Sequence, residues 1–335
     1  MAAAKVVVHG AGSVGCFIGG CWQAAGLDVT FIGRPNLAED IANHGLTLTD
    51  SSGWQARLIE VDYRTDPAAL AEADIIALTV KSAATADAAR EIMSHGREGA
   101  LVISFQNGIS NVDVLKSELG GRFQVARGMV QYNVAFLGEG RFHKGVAGHL
   151  YAEDRPETRS LAARVGDGPA ALKLSGDMLG VAWGKLLINL NNAVAALSGR
   201  TLLDELSQRD YRRVVAASQR EGLRLLKLAN IEPAKIGGVA PRLLPFIIGS
   251  PDWLFRNVFL AKWKIDTKAR SSMNDDLIAH RRTEVDYLNG ELVALAERLG
   301  TDASINRRIV ELVRKAEAGT EPWGPAALRR AVLGR

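Results

Sequence analysis

Hydrophobic and polar positions follow two different rhythms along the chain. In the first half, short β-branched runs alternate with helical segments: Val6-Val7-Val8, an apolar helical stretch over 17–25, then Val29-Thr30-Phe31-Ile32. Further strand-like runs fall at 74–80, 100–104, 123–130 and 134–137, with an alanine-rich helix over 83–93. Strands alternating with helices predict βαβ units and ligands bound beyond the carboxyl ends of the strands. From Asp177 a long helical periodicity takes over, broken only near Pro233, across 241–251 and at Gly300. The expected fold is α/β: a Rossmann-type doubly wound parallel sheet in residues 1–175, followed by an all-helical domain in residues 176–335. Residues 241–268 hold three prolines and two tryptophans and read as an irregular lid or packing insert.

The first strand runs into His9-Gly10-Ala11-Gly12-Ser13-Val14-Gly15. This Gly-x-Gly-x-x-Gly spacing, with a strand before it and an apolar helix after it, is that of a pyrophosphate cradle. Gly10 permits the sharp turn, Gly12 lets the backbone approach the phosphates, and Gly15 lets the helix pack on its strand. The helix N-terminus adds unpaired N–H groups and a positive dipole end. An ordinary glycine-rich turn is the competing reading, and the flanking elements argue against it. Gly10, Ala11, Gly12, Ser13, Val14 and Gly15 are therefore the expected dinucleotide contacts.

The second strand ends in Gly33-Arg34, where an NAD-binding unit carries an acid for the ribose 2′-hydroxyl. Asp28 lies at the wrong end of that strand. The planar fork of Arg34 suits a 2′-phosphate, so the expected cofactor is NADPH. Lys81 in Thr79-Val80-Lys81-Ser82 and Asn107 in Gln106-Asn107-Gly108 stand at later strand ends, where a cofactor lies. Either one alone fits a loop surface equally well.

Composition narrows the classes. The chain has 335 residues, of which 47% are hydrophobic and 23% charged, enough for two domains with sizeable cores. The charge-free run 6–27 raises the question of a membrane span or signal peptide, but six glycines, His9 and Gln23 interrupt it and no basic segment precedes it. Cys16 and Cys21 sit five apart on one predicted helix, pointing to different sides, so no disulfide is expected and a reducing cytoplasm fits. No Cys/His cluster has metal-ligand spacing. The net charge of +4 comes without a Lys/Arg run or an aromatic-interleaved basic stripe, which argues against nucleic acid. Its basic excess lies in the second half, with 16 basic and 9 acidic residues between Arg200 and Arg282, and agrees with small anionic ligands.

Two constellations mark the helical half. From Met178 to Gly199 the one charged residue is Lys185, on a helix apolar around most of its circumference. Lys185 and Asn189, one turn apart, put an ammonium and an amide on one face. A lysine that snorkels to water is the alternative. The second constellation joins Ser271-Ser272-Met273-Asn274-Asp275 to Thr283-Glu284-Val285-Asp286-Tyr287-Leu288-Asn289-Gly290. The latter is expected to open a helix with Leu288, Leu292, Leu295 and Leu299 as its stripe and Glu284 at the margin. Ser272 with Asp275 makes a Ser-x-x-Asp capping box, and Glu284 could be an exposed helix acid.

Taken in order, these blocks resemble the ketopantoate reductase family, and the resemblance covers nearly the whole chain. The family pattern is a glycine fingerprint, a Lys after one strand, an Asn-Gly after the next, then W-x-K-L-x-x-N, S-S-M-x-x-D and T-E-x-D-Y-x-N-G. Here it falls at Gly10 to Gly15, Lys81, Asn107-Gly108, Trp183 to Asn189, Ser271 to Asp275 or Asp276, and Thr283 to Gly290. The resemblance implies an NADPH-dependent reduction of 2-dehydropantoate to pantoate, a step of pantothenate biosynthesis. It implies Lys185 as proton donor and Glu284 as a partner near the reacting oxygen and nicotinamide. Asn107, Asn189 and Ser272, with Lys185, would hold the substrate, and Arg34, Lys81, Asn107 and Val134 would line the cofactor site.

The chain departs from the pattern at two substrate-side amides, which read Ala193 and Leu203. Ser304 also replaces a proline before Asn306, and residues 241–268 are the expected extra material. The overall expectation is a cytoplasmic oxidoreductase acting on a small anionic 2-oxo acid, with neither nucleic acid nor membrane as partner; a homodimer stays open. A sister enzyme for another 2-oxo acid and a non-catalytic NADPH sensor are the rivals, and the sensor gives no reason to keep both Lys185 and Glu284. A β-hydroxyacid or opine-type dehydrogenase shares the layout without explaining the Ser-Ser-Met and Thr-Glu-x-Asp-Tyr blocks.

Overall fold

A computed structural model describes residues 4–260 and 269–334, and the chain divides into two units between Leu179 and Gly180. The last eight residues of the segment 241–268, which the sequence marks as an insert, lie outside the described residues.

The first unit is built on twelve strands: β1 (Val6–His9), β2 (Val29–Ile32), β3 (Leu46–Asp50), β4 (Gln55–Leu58), β5 (Asp62–Arg64), β6 (Ile75–Leu78), β7 (Leu101–Ser104), β8 (Gln124–Val130), β9 (Val134–Phe136), β10 (Arg141–Lys144), β11 (Leu150–Glu153) and β12 (Leu172–Ser175). The main sheet has the order β12-β11-β8-β7-β6-β1-β2-β5. Its six strands from β8 to β5 are all parallel, and β11 and β12 form a reversed pair joined antiparallel to β8. The strand order turns back at β1 and β6, the switch point where such sheets bind ligands.

Alternation along β1 separates two cores. Val6 and Val8 face helix α1 (Ser13–Ala24), whose Phe17 and Trp22 are fully buried. Val7 faces the other side, toward α3 (Thr85–His95) and α4 (Asn111–Leu119). Each such aliphatic side chain contributes about 1.5–3 kcal/mol on burial. Between β2 and β3 runs α2 (Pro35–His44), and between β11 and β12 runs α5 (Pro156–Val165).

A second sheet was not foreseen. It has the order β4-β3-β10-β9 and lies against α1, with Leu46, Leu48 and Phe142 in the same core as Phe17 and Trp22. β9 falls on the strand-like run expected over 134–137, but β4 and β10 are short and lack a marked apolar run, so periodicity alone does not announce the sheet.

The second unit is helical among the described residues. The single helix expected over 177–198 is two, α6 (Met178–Asn189) and α7 (Asn191–Ser198), interrupted at Leu190, whose backbone stays in the right-handed helical region. After α8 (Leu202–Leu206) comes α9 (Arg209–Leu228), which buries Tyr211, Val214, Val215 and Ala216 in a core shared with α7. Helices Ser272–Ile278, Asn289–Arg298, Ser304–Glu317 and Pro325–Leu333 complete the unit. Glu221 on α9 accepts from the backbone N–H groups of Ile305 and Asn306 at 3.1 and 2.8 Å, so a carboxylate caps the dipole of helix Ser304–Glu317. Asn306 also accepts from Ser218 Oγ at 2.7 Å and from Asn289 Nδ2 at 2.9 Å. Asn289, part of the Thr-Glu-x-Asp-Tyr-x-Asn-Gly block, thus serves the scaffold.

The segment after α9 is not an isolated loop. Residues Pro241–Leu243, Leu244–Ile248 and Asp252–Leu254 are short helical turns. The fully buried guanidinium of Arg212 ties them down by donating to the carbonyls of Ile248 and Ser250, both at 3.0 Å, and to Asp252 at 2.8 Å. The Phe255 ring lies 4.3 Å from its central carbon.

Candidate active site

At the switch point, Gly10 has φ +89°, and a Cβ there would come within 2.5 Å of Val80. A Cβ on Gly15 would approach Thr79 Oγ1 to 2.5 Å. At Gly12 the nearest atom would be the Gly10 carbonyl oxygen at 4.0 Å, so that glycine faces open space instead of packing. The first and third glycines are therefore required by the protein, and the second leaves room for a ligand at the start of α1. Gly12 is the N-cap of α1 and no side chain caps it, so the N–H groups of Ser13 and Val14 stay available to an anion. Ala11 is buried beneath the turn, its carbonyl accepting from Tyr63 Oη at 2.7 Å. These residues fit a dinucleotide pyrophosphate.

Arg34 follows β2 as the N-cap of α2. It is exposed, and its guanidinium has no hydrogen bond or ion pair among the described residues. Its neighbour at this edge, Arg64, is by contrast neutralised by Asp62 at 2.7 Å and Glu72 at 3.0 Å.

Lys81 and Asn107 lie on the loops after β6 and β7, and a polar network unforeseen from the sequence ties those loops together. Gln106 Nε2 donates to Thr85 Oγ1 at 2.7 Å, and Thr85 Oγ1 donates to Asn111 Oδ1 at 2.8 Å. Asn111 Nδ2 donates to the Asn107 carbonyl at 2.5 Å and to Ser82 Oγ at 3.2 Å, while Ser104 Oγ donates to the side-chain oxygen Oε1 of Gln106 at 2.9 Å. Ser82, Thr85, Ser104, Gln106 and Asn111 are all buried, and satisfied polar networks of this kind fix a single loop geometry. The signal was the density of Ser, Thr, Asn and Gln at two adjacent strand ends. Val134 opens β9 in the second sheet, half-buried against the α1 core.

In the second unit, Lys185 and Asn189 share a face of α6. Lys185 is half-buried, and burial alone lowers its pKa to about 8. Its ammonium has no hydrogen bond or ion pair among the described residues.

Ser272 is not the cap. Ser271 caps helix Ser272–Ile278 by accepting from the Asn274 N–H at 3.2 Å, one residue earlier than the Ser-x-x-Asp box implies. Ser271 Oγ also donates to the Asn192 carbonyl at 3.2 Å, which brings the start of this helix to the beginning of α7. The shift leaves Ser272 exposed as the first helical residue.

Glu284 is likewise not on the helix. It precedes the tight turn Val285–Tyr287, with the α-helix starting only at Asn289. Thr283 and Asp286 on either side are held by helix Ser304–Glu317: Thr283 Oγ1 donates to Glu317 at 2.6 Å, and Arg314 donates to Asp286 at 2.7 Å. Glu284 is thereby presented from a loop anchored on both sides, half-buried.

Two family models cover the chain. Ketopantoate reductase PanE/ApbA matches residues 6–157, and ketopantoate reductase PanE/ApbA C terminal matches residues 177–317. The chain belongs to the ketopantoate reductase family. It is accordingly an oxidoreductase. The 2-dehydropantoate 2-reductase of Archaeoglobus fulgidus is 25% identical over 324 residues, covering 94% of this chain and 98% of its own. The crystal structure of a PanE/ApbA family ketopantoate reductase from Ralstonia eutropha JMP134 superposes with a TM-score of 0.80 at 28% identity, over 94% of this chain and 98% of that one. D-Mandelate dehydrogenase, solved with NADH and anilino(oxo)acetate, superposes with a TM-score of 0.77 at 18% identity over the same shares, a likeness of fold alone. Among the described residues of this ketopantoate reductase family member, no helix is long and apolar enough to cross a membrane. No group of three or more His, Cys, Asp or Glu side chains there is arranged to hold a metal ion. Cys16 and Cys21 are both free and buried.

Proposed function

We propose that the protein reduces 2-dehydropantoate to pantoate with NADPH, in cytoplasmic pantothenate biosynthesis. The observation that carries this reading is Lys185: the lone charge of α6, half-buried, without a partner among the described residues, and one turn from Asn189. A cation that no structural bond consumes is available to a substrate oxygen.

NADPH, when bound, supplies a hydride to the 2-oxo carbon. The loop Gly10 to Gly15 and the start of α1 hold its pyrophosphate, and Arg34 its 2′-phosphate. Lys81, Asn107 and Val134 complete the cofactor site. Lys185 donates a hydrogen bond to the carbonyl oxygen and then transfers its proton as negative charge develops there, an acid contribution of about 10² to 10⁴ in rate. A pKa near 8 keeps it protonated at neutral pH yet ready to give the proton up. Asn189, Ser272 and Asn107 fix the substrate's carboxylate and hydroxyl. Glu284 enters as a partner near the reacting oxygen and nicotinamide.

A second reading, the same chemistry on another 2-oxo acid, is favoured by Ala193. A substrate-side amide of the family is replaced there by a methyl fully buried in the apolar core of the helical unit. The test is NADPH oxidation followed with ketopantoate and with smaller and larger 2-oxo acids. Turnover highest with ketopantoate supports the first reading, a higher kcat/KM for another acid supports the second, and no turnover with any overturns both.

A further inference from the structure

At the end of β2 the chain has a device that decides which side chain can face the adenosine ribose. Tyr63 on β5 pairs in register with Phe31, and their rings stack 6.2 Å apart with 8° between planes. This stacking carries the Tyr63 hydroxyl to the turn after β2, where it donates to the Ala11 carbonyl at 2.7 Å. The Gly33 N–H donates to the Arg64 carbonyl at 3.0 Å, so the first residue of the turn is held by β5.

The hydroxyl also occupies the space a side chain would need at position 33. A Cβ built on Gly33 overlaps the Tyr63 hydroxyl oxygen and comes within 2.9 Å of the Ala11 carbonyl oxygen. A dinucleotide site that reads a free 2′-hydroxyl needs an acid at the end of this strand. Here position 33 can carry none, and the first side chain after the strand is Arg34.

We propose that Tyr63 is a positioning residue for recognition of the ribose 2′-phosphate: its hydroxyl excludes a side chain at position 33 and anchors the pyrophosphate loop beside the turn from which Arg34 projects. The proposal rests on the reading of Gly10 to Gly15 and Arg34 as the dinucleotide site. The hydroxyl fastens the pyrophosphate loop, through Ala11, to β5, which through the Arg64 carbonyl also holds the Gly33 turn that precedes Arg34. Loss of the hydroxyl frees Arg34 relative to the loop and weakens only ligands that contact both.

The test is calorimetric binding of 2′,5′-ADP and 5′-AMP, which differ only in the 2′-phosphate, to the full chain and to its Arg34→Ala, Tyr63→Phe and Gly33→Ala variants. Tyr63→Phe keeps the ring on Phe31 and is expected to lower the ratio of 2′,5′-ADP to AMP affinity about threefold to tenfold, with AMP affinity unchanged. Gly33→Ala, which must push the hydroxyl aside, is expected to lower the same ratio. Arg34→Ala should lower it by about tenfold or more. A ratio that falls in Arg34→Ala but stays at the wild-type value in both Tyr63→Phe and Gly33→Ala overturns the role of Tyr63 and leaves the cofactor reading intact. A ratio that Arg34→Ala does not change overturns the 2′-phosphate reading and the proposal with it. A variant that loses AMP and 2′,5′-ADP affinity equally shows a general loop defect and counts against the positioning role.

Discussion

Asn191 donates from Nδ2 to Oε2 of Glu205 across 3.3 Å, while Asn191 Oδ1 and Glu205 Oε1 stay buried without a hydrogen bond. Burial raises the Glu205 pKa from its ordinary 4.5 to about 8, against the smaller opposing effects of Asn191 and the Arg212 charge. The folded protein therefore holds a proton here that the unfolded chain gives up between those two values. Stability from this group is present below pH 4.5 and is lost as pH rises toward 8, at up to ~1.4 kcal/mol per pH unit. Glu205→Gln, which cannot ionise, is expected to flatten that decline. Denaturant melts of both proteins at pH 5 and pH 8 check it, and parallel curves would contradict the assignment.

Lys185 has the opposite sense. Its folded pKa of about 8 lies below the ordinary 10.5, so the ammonium is lost earlier than in a free lysine. If the ammonium is the proton donor, kcat should fall as pH rises through about 8. Lys185→Ala should cut kcat by about 10² or more while leaving NADPH affinity unchanged. Steady-state kinetics from pH 6 to 10, beside cofactor binding, are the measurement. A flat profile would return Lys185 to a snorkelling surface role.

Asn111 supplies two donors to the loops that carry Lys81 and Asn107, and both are lost in Asn111→Asp as in Asn111→Ala. The aspartate keeps size and the acceptor for Thr85, so a purely steric role would spare it. Both variants are expected to lower kcat/KM about tenfold through misplacement of the Asn107 loop. Thermal melts alongside the kinetics separate this from unfolding, and wild-type kcat/KM in Asn111→Asp would reduce the network to scaffold.

Ala193 is fully buried among Val194, Leu197 and Val215. Restoring the family amide by Ala193→Asn therefore puts an unpartnered polar group in an apolar core, at a cost of about 1–3 kcal/mol. A lower melting temperature is expected. The wild type should accept the deoxy analogue of ketopantoate comparatively well, because without the amides at 193 and 203 fewer buried donors are left unpaired. A preference for ketopantoate of about 10⁴ or more would show that other groups read the hydroxyl.

The sequence disclosed what depends on local spacing. The glycine fingerprint, the parallel strands flanking it, the helical second half and the isolation of Lys185 all follow from residues within one or two turns of each other. What it hid depends on partners far along the chain. The small sheet joins β3 to β10 across nearly a hundred residues, and the Ser271 cap is fixed by its contact to Asn192. Glu284 read as a helix acid because Leu288, Leu292 and Leu295 do form a buried stripe. The helix under that stripe starts later, at Asn289, because Thr283 and Asp286 are pulled onto helix Ser304–Glu317.

The bonds of Arg212 give the segment after α9 a history as well as a place. Ile248, Ser250 and Asp252 take three of the hydrogen bonds of a guanidinium that water does not reach, and Phe255 covers its face. A shortened chain without those acceptors would leave the buried cation with the Leu206 carbonyl alone, a loss of about 3–5 kcal/mol. An apolar residue at 212 with the segment retained would take that donor from the Ile248 and Ser250 carbonyls. Neither change is tolerable first, so the segment and its arginine are expected to be gained or lost together across relatives of different length.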